Sequence, residues 1–202
     1  MSPKIDSNET KMDIPWYDFK LWPSDTRSLV GSVLLAVCFA ATMQITERMD
    51  IILAGGILPI LGLTFQNVWF WPAAMYFGLT GGLLAANFSP FISILTGTGP
   101  LAPAWFAVNT AHAIPMAYLS QYTFEKRRAT KDGIPLKYFM LWMVPIAQFF
   151  TLIPLLALWL FVLKLPVSVS ILLYVAGWAL CIPGGLIAFY LCRSIGKSAT
   201  LN

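Results

Sequence analysis

Polar and apolar positions are sorted along this chain on the scale of whole helices. From Ile51 to Phe124 there is no Asp, Glu, Lys or Arg, a run of 74 residues. A helix needs about 20 apolar residues to cross the hydrocarbon of a bilayer. Ser28 to Thr46 makes one such segment, preceded by Arg27 and followed by Glu47, Arg48 and Asp50. The charge-free run holds three more if its turns are short. The turn residues of TFQNVWFWP (64–72) and FSPFISILTGTGP (88–100) divide it. Tyr138 to Leu163 supplies a fifth and Val169 to Cys192 a sixth. The pattern predicts an all-α, integral membrane bundle of six transmembrane helices.

Charge gives that bundle an orientation. With the N-terminus inside, eleven of the thirteen Lys and Arg residues fall in inner segments, and only Arg48 and Lys164 fall outside. This positive-inside bias predicts that both termini are cytoplasmic. Residues 1–27 then form a cytoplasmic N-terminal segment, 28–197 the six-helix domain and 198–202 a C-terminal tail. Within the first of these, DIPWYDFKLWP (13–23) mixes aromatics with charges, as expected of a stretch lying along the membrane interface. The same N-terminus lacks the apolar core of a cleavable signal, so the first span is expected to anchor the chain in the cell membrane.

Composition agrees and removes several classes of function. Hydrophobic residues make up 58% of the chain and charged residues 11%, with a mean hydropathy of +0.72. Soluble domains carry about 25% charged residues. The net charge of +4 and pI near 9.0 belong to basic residues flanking spans, and they suggest no nucleic-acid partner. Cys38, Cys181 and Cys192 all lie in apolar segments, which argues against a disulfide framework or a metal site. One histidine and no pair of membrane-embedded carboxylates leave no ligand set for haem or a di-metal centre. No nucleotide-binding loop is present, no cofactor is implied, and catalysis is not expected.

Binding or assembly is what the remaining polar residues support, because lipid turns such side chains toward protein or a cavity. Trp105, Asn109 and His112 are spaced i, i+4, i+7 and share one helical face. Tyr174, Trp178 and Cys181 repeat that spacing in the last span. Glu47 and Asp50, the acidic residues between the first two spans, are placed to steer or bind a cationic ligand. Each feature also has a plain structural reading: interhelical hydrogen bonding for Asn109 and His112, and solvation for the two carboxylates. Ala36 and Ala40 form a small-residue face in the first span, as Gly78 and Gly82 do in the third. Such faces pack either within this chain or against a partner subunit.

A chain near 200 residues with six spans, both ends inside, the Ala36-xxx-Ala40 pair and the closing sequence IPGGLIAFYLCRSIGKS resembles the substrate-binding S component of energy-coupling-factor (ECF) transporters. The resemblance covers residues 28–197 and is architectural. It implies vitamin uptake: capture of a small solute, such as a heteroaromatic vitamin or precursor, from outside, with a membrane T-like subunit and two cytoplasmic ATPases as partners. By position, Ala36 and Ala40 match the family's face for the T component. Glu47, Asp50, Trp105, Asn109, His112, Tyr174 and Trp178 occupy the places from which the family builds its pocket. The metal-transporting branch begins with Met-His, whereas this chain begins MSPKID, so no metal is implied. The alternative from the residues alone is a non-catalytic structural subunit of a larger membrane complex.

Overall fold

The computed structural model describes residues 21–23, 25–55, 59–96, 101–125 and 134–199. These are helical almost throughout, with no strand among the described residues. Trp16, Tyr17 and Phe19 of the interfacial stretch lie outside the described residues, as do the basic cluster at 126–131 and positions 56–58 and 97–100.

The first helix, α1 (Thr26–Ala54), starts where the carboxylate of Asp25 accepts both the N–H (2.9 Å) and the hydroxyl (2.7 Å) of Ser28. It runs well past Thr46 and carries Glu47, Arg48 and Asp50 in its final turns, so these residues are helical and do not form a loop. Ser32, Ala36, Phe39, Ala40, Thr46 and Asp50 form its buried stripe, while Val30, Leu34, Val37 and Ile45 stay exposed. That division suits a helix with the bundle on one side and lipid on the other.

The second helical stretch, α2 (Ile60–Thr96), carries the main correction to the expected layout. The stretch 64–72 is helix, not a turn. Asn67 donates to the carbonyl of Leu63 at 3.1 Å, one turn back, and Pro72 is accommodated within the helix. The chain reverses instead at Phe77 (φ −126°, ψ 18°) and Gly78 (φ 59°, ψ −152°). Beyond that point the second limb lies against the first. A Cβ at Gly81 would stand 2.5 Å from the carbonyl oxygen of Ala73, and one at Gly82 3.5 Å from the Cβ of Ala74. Residues eight apart on a continuous helix are about 12 Å apart, so α2 is a helical hairpin. Gly78 is therefore the hinge residue, and Gly81 and Gly82 provide the close approach.

Among the described residues, three further helices join the bundle. These are α3 (Ala102–Glu125), α4 (Leu136–Val162) and α5 (Val167–Ala199). Two π-helical turns, Phe139–Met143 and Leu158–Val162, widen α4. The first lies just before Pro145, whose ring would otherwise crowd a carbonyl in the preceding turn. The first limb of α2 is buried almost all round and forms the centre. Its Thr64 hydroxyl donates to the carbonyl of Leu180 at 3.3 Å, and the Tyr76 hydroxyl donates to that of Cys192. Gly184 of α5 sits directly on the carbonyl of Thr64. One core cluster gathers Phe39, Phe70, Trp71, Phe139 and Phe189, with the Trp71 and Phe139 rings 4.8 Å apart. A second gathers Leu63, Val108, Leu152, Leu155 and Trp159 toward the other end.

Among the described residues, four helical stretches are long and apolar enough to cross a membrane: Thr26–Leu53, Ile60–Leu95, Leu136–Val162 and Val167–Ile195. The chain is thus a helical membrane protein. Gly78→Ala is expected to lower stability by about 1–3 kcal/mol, because this φ/ψ combination is open essentially to glycine alone. Gly81→Ala should also destabilise, since its methyl would meet backbone rather than a movable side chain. Unfolding by heat or denaturant in detergent, followed by circular dichroism, measures both.

Candidate functional site

The helix ends at which α1 finishes, the α2 hairpin opens and α3 begins enclose a cavity of about 40 Å³. Its walls come from Phe39, Met43 and Glu47 of α1, Pro59, Gly62, Leu63 and Gln66 of the first α2 limb, Ser89, Pro90 and Ser93 of the second, and Trp105 and Asn109 of α3. Six polar or amphipathic side chains thus converge on one space in the bundle. A volume of this size exceeds the roughly 10–15 Å³ that one water needs and is well below the roughly 150 Å³ of a cavity that takes up benzene.

Hydrogen bonding fixes what these groups present. Asn109, nearly buried, donates through Nδ2 to the carbonyl of Ala86 at 2.8 Å, so its Oδ1 is the pole left for the cavity. Its neighbour Thr110 exchanges hydrogen bonds with the Asn87 amide at 3.0 and 3.2 Å, which fastens α3 to the second α2 limb. Gln66 places Nε2 2.9 Å from Nδ1 of His112. With the amide donating, His112 is the Nε2–H tautomer and Oε1 remains the free pole of Gln66. His112 is fully buried behind Gln66, edge-on to Phe70 at 5.8 Å, and its Nε2 has no hydrogen-bond partner.

The residues expected from the sequence separate into three groups. Glu47, Trp105 and Asn109 line the cavity. His112 shares their neighbourhood through Gln66 without lining it. Tyr174 and Trp178, with ring centroids 6.5 Å apart and planes at 67°, pack with Trp105 and Trp159 on the second core cluster, where Trp105 joins cluster and cavity. Asp50 has a different task. Its two carboxylate oxygens accept the N–H groups of Leu61 (2.8 Å) and Gly62 (2.9 Å), so it caps the start of α2 from the end of α1 and is itself almost wholly buried. Glu47 and Asp50, one turn apart, are therefore not a pair.

Ala36 and Ala40 are buried within this chain, 1% and 9% exposed, so their small side chains admit neighbours from the same bundle. Gly31 likewise faces the Phe77 ring, and Gly177 the side chain of Leu152. Among the described residues no three His, Cys, Asp or Glu side chains are grouped so as to hold a metal ion. A larger groove of about 470 Å³, lined by Ala111, Ile114, Pro115, Tyr118, Leu119, Ile146 and Phe150, runs between α3 and α4. Its lining is apolar apart from the Tyr118 hydroxyl, which leaves little to orient a polar solute.

Gln66, Ser89 and Ser93 are the site residues that sequence reasoning missed. Their signal is present as polar residues inside a charge-free run, but they fall in stretches rich in Asn, Pro and Trp that read as turns.

The contrast between the two acidic residues is testable. Asp50→Ala removes a charge-assisted cap on two backbone donors and is expected to lower stability by about 1.5–3 kcal/mol. Glu47→Gln, at a carboxylate with no ion pair among the described residues, should change it by less than about 0.5 kcal/mol. Parallel unfolding curves in one detergent check both. Comparison with known proteins adds no identity: no protein-family model, curated protein or solved structure matches the chain.

Proposed function

We propose that this chain is the membrane-embedded solute-binding subunit of an ATP-driven uptake transporter, working as an ECF S component does with a T-like membrane subunit and cytoplasmic ATPases. The observation that supports this reading is the convergence of Glu47, Gln66, Ser89, Ser93, Trp105 and Asn109 on one cavity at one end of an apolar bundle. Solute sites are mostly apolar enclosures with a few placed polar groups that set orientation. The two α2 limbs, at about 1.5 Å per residue, reach roughly 25 Å each. Counted separately they raise the crossings to five and α3 adds a sixth, and the Lys and Arg distribution then favours both termini in the cytoplasm and the cavity on the outer side. Trp105, with Tyr174 and Trp178 packed nearby, offers aromatic surface to a flat solute. The cell membrane is the location this requires.

A structural subunit of a larger complex is the second reading. It is favoured by the small enclosed volume and by the long exposed apolar faces of α1 and α5.

Gentle purification from native membranes separates the two. The transporter reading expects a second multi-pass protein and two ATPases to co-purify. It also expects Asn109→Ala and Trp105→Ala to reduce solute uptake at least tenfold while the assembly survives. Isolation of a different multi-subunit complex, with both variants neutral in it, overturns this reading.

A further inference from the structure

Taking the solute-binding reading as given, the cavity's chemistry narrows what is bound. The charge at this end of the bundle is unevenly used. Asp50 is engaged by two backbone N–H groups, while Glu47 lines the cavity with no hydrogen bond or ion pair among the described residues. Arg48, one residue on, points outward. The two amides add acceptors: Asn109 has its NH₂ on Ala86, and Gln66 has its NH₂ on His112. What remains toward the cavity is a carboxylate and two amide oxygens. An anion would face that carboxylate, and a neutral acceptor would find donors only at the serine hydroxyls and the Trp105 indole N–H.

Size and wall composition restrict the ligand further. The space of about 40 Å³ takes a small polar head and is well short of the roughly 150 Å³ that accommodates a benzene ring. A primary ammonium fits that limit and carries three donors for three acceptors. A bare metal ion would want several oxygen ligands, yet Phe39, Met43, Leu63 and Pro90 make much of the wall. Those surfaces, with Trp105, suit the carbons next to the ammonium of an organic cation whose larger body lies at the cavity mouth, and an indole face also attracts positive charge.

We infer that the cavity holds the protonated primary amine of a small aromatic or apolar solute, with the Glu47 carboxylate opposite the ammonium, Asn109 and Gln66 as further acceptors, and Trp105 against the solute body. Recognition is by charge and by the number of N–H donors, and it excludes carboxylate-bearing analogues of the same shape.

Three probes of nearly equal size test this: 2-phenylethylammonium, 2-phenylethanol and phenylacetate. Each is titrated at neutral pH into the purified chain in lipid nanodiscs, and tryptophan fluorescence is read. The expected result is saturable quenching by the ammonium, at least tenfold weaker for the alcohol and none for phenylacetate. Trp105→Phe should remove most of the signal. Glu47→Gln should weaken ammonium binding at least tenfold at an unchanged unfolding midpoint. Comparison of the three probes on the unaltered chain carries the test if that variant fails to fold. Equal binding of the alcohol or of phenylacetate overturns the cation assignment and leaves the solute-binding reading standing. Sodium chloride producing the same quenching as the ammonium reassigns the cavity to an inorganic ion and also overturns it. No saturable response to any probe overturns the assignment, and loss of uptake in Asn109→Ala would then show that solute binding itself survives.

Discussion

A chain that turns back inside an apolar bundle frees backbone groups that lipid cannot satisfy, so the fold has to supply partners at the turn. At Phe77–Gly78 three separate parts of the sequence do this. Gly78 adopts a conformation that a side chain would block. The N–H of Leu79, released from the helical ladder, donates to the carbonyl of Leu21 at 2.7 Å, which draws the segment before α1 under the turn. The Phe77 ring fills the space left by Gly31. The central position of the first limb depends on this reversal, since α1, α3 and α5 all pack on α2.

The polar residues of the bundle follow from the same shortage of hydrogen-bond partners. Many Ser, Thr and Asn side chains donate one turn back to their own helix, as Ser32, Thr42, Asn67, Ser120 and Thr151 do. Such bonds satisfy the side chain without recruiting a neighbour. Others join different helices: Thr64 and Tyr76 reach α5, Trp69 reaches Thr42, Gln148 reaches Gly177, and Asn87 pairs with Thr110. Three such links, Asp50 to α2, Asn109 to Ala86 and Gln66 to His112, lie at or behind the cavity.

This distribution explains how far the sequence could be read. Helical class and membrane setting were legible because the apolar runs exceed the bilayer thickness. The shared face of Trp105, Asn109 and His112 followed from helical spacing, and the structure buries Asn109 and His112 while Trp105 borders the cavity. The hairpin position was not legible. Turn rules were learned from water-exposed chains, where Asn and Pro mark breaks, yet here Asn67 bonds its own helix and the reversal falls at Gly78, within what read as a small-residue packing face. Asp50 could not be separated from Glu47 by spacing, because its role depends on Leu61 and Gly62, eleven and twelve residues away across the turn. Ala36 and Ala40 had two readings in advance, and only burial distinguishes a face turned to the chain from one turned to a partner.

The cavity also has an asymmetric frame. The first α2 limb is held to α5 through Thr64 and Tyr76, and the second is held to α3 through Asn87, Thr110 and Asn109. Those walls cannot separate from α5 and α3 without breaking hydrogen bonds that are buried or partly buried. The remaining wall, Phe39, Met43 and Glu47, belongs to α1, which packs chiefly on α2. α1 is fixed at two distant points: Gly31 against Phe77 near its start and the Asp50 cap near its end. Between them its contacts are mainly side-chain packing, with one cross-helix hydrogen bond from the Trp69 indole to Thr42 at 3.1 Å. The width of the cavity is therefore set largely by how closely the middle and outer part of α1 lies on the hairpin. The helix that controls that distance is the one that carries the unpaired carboxylate.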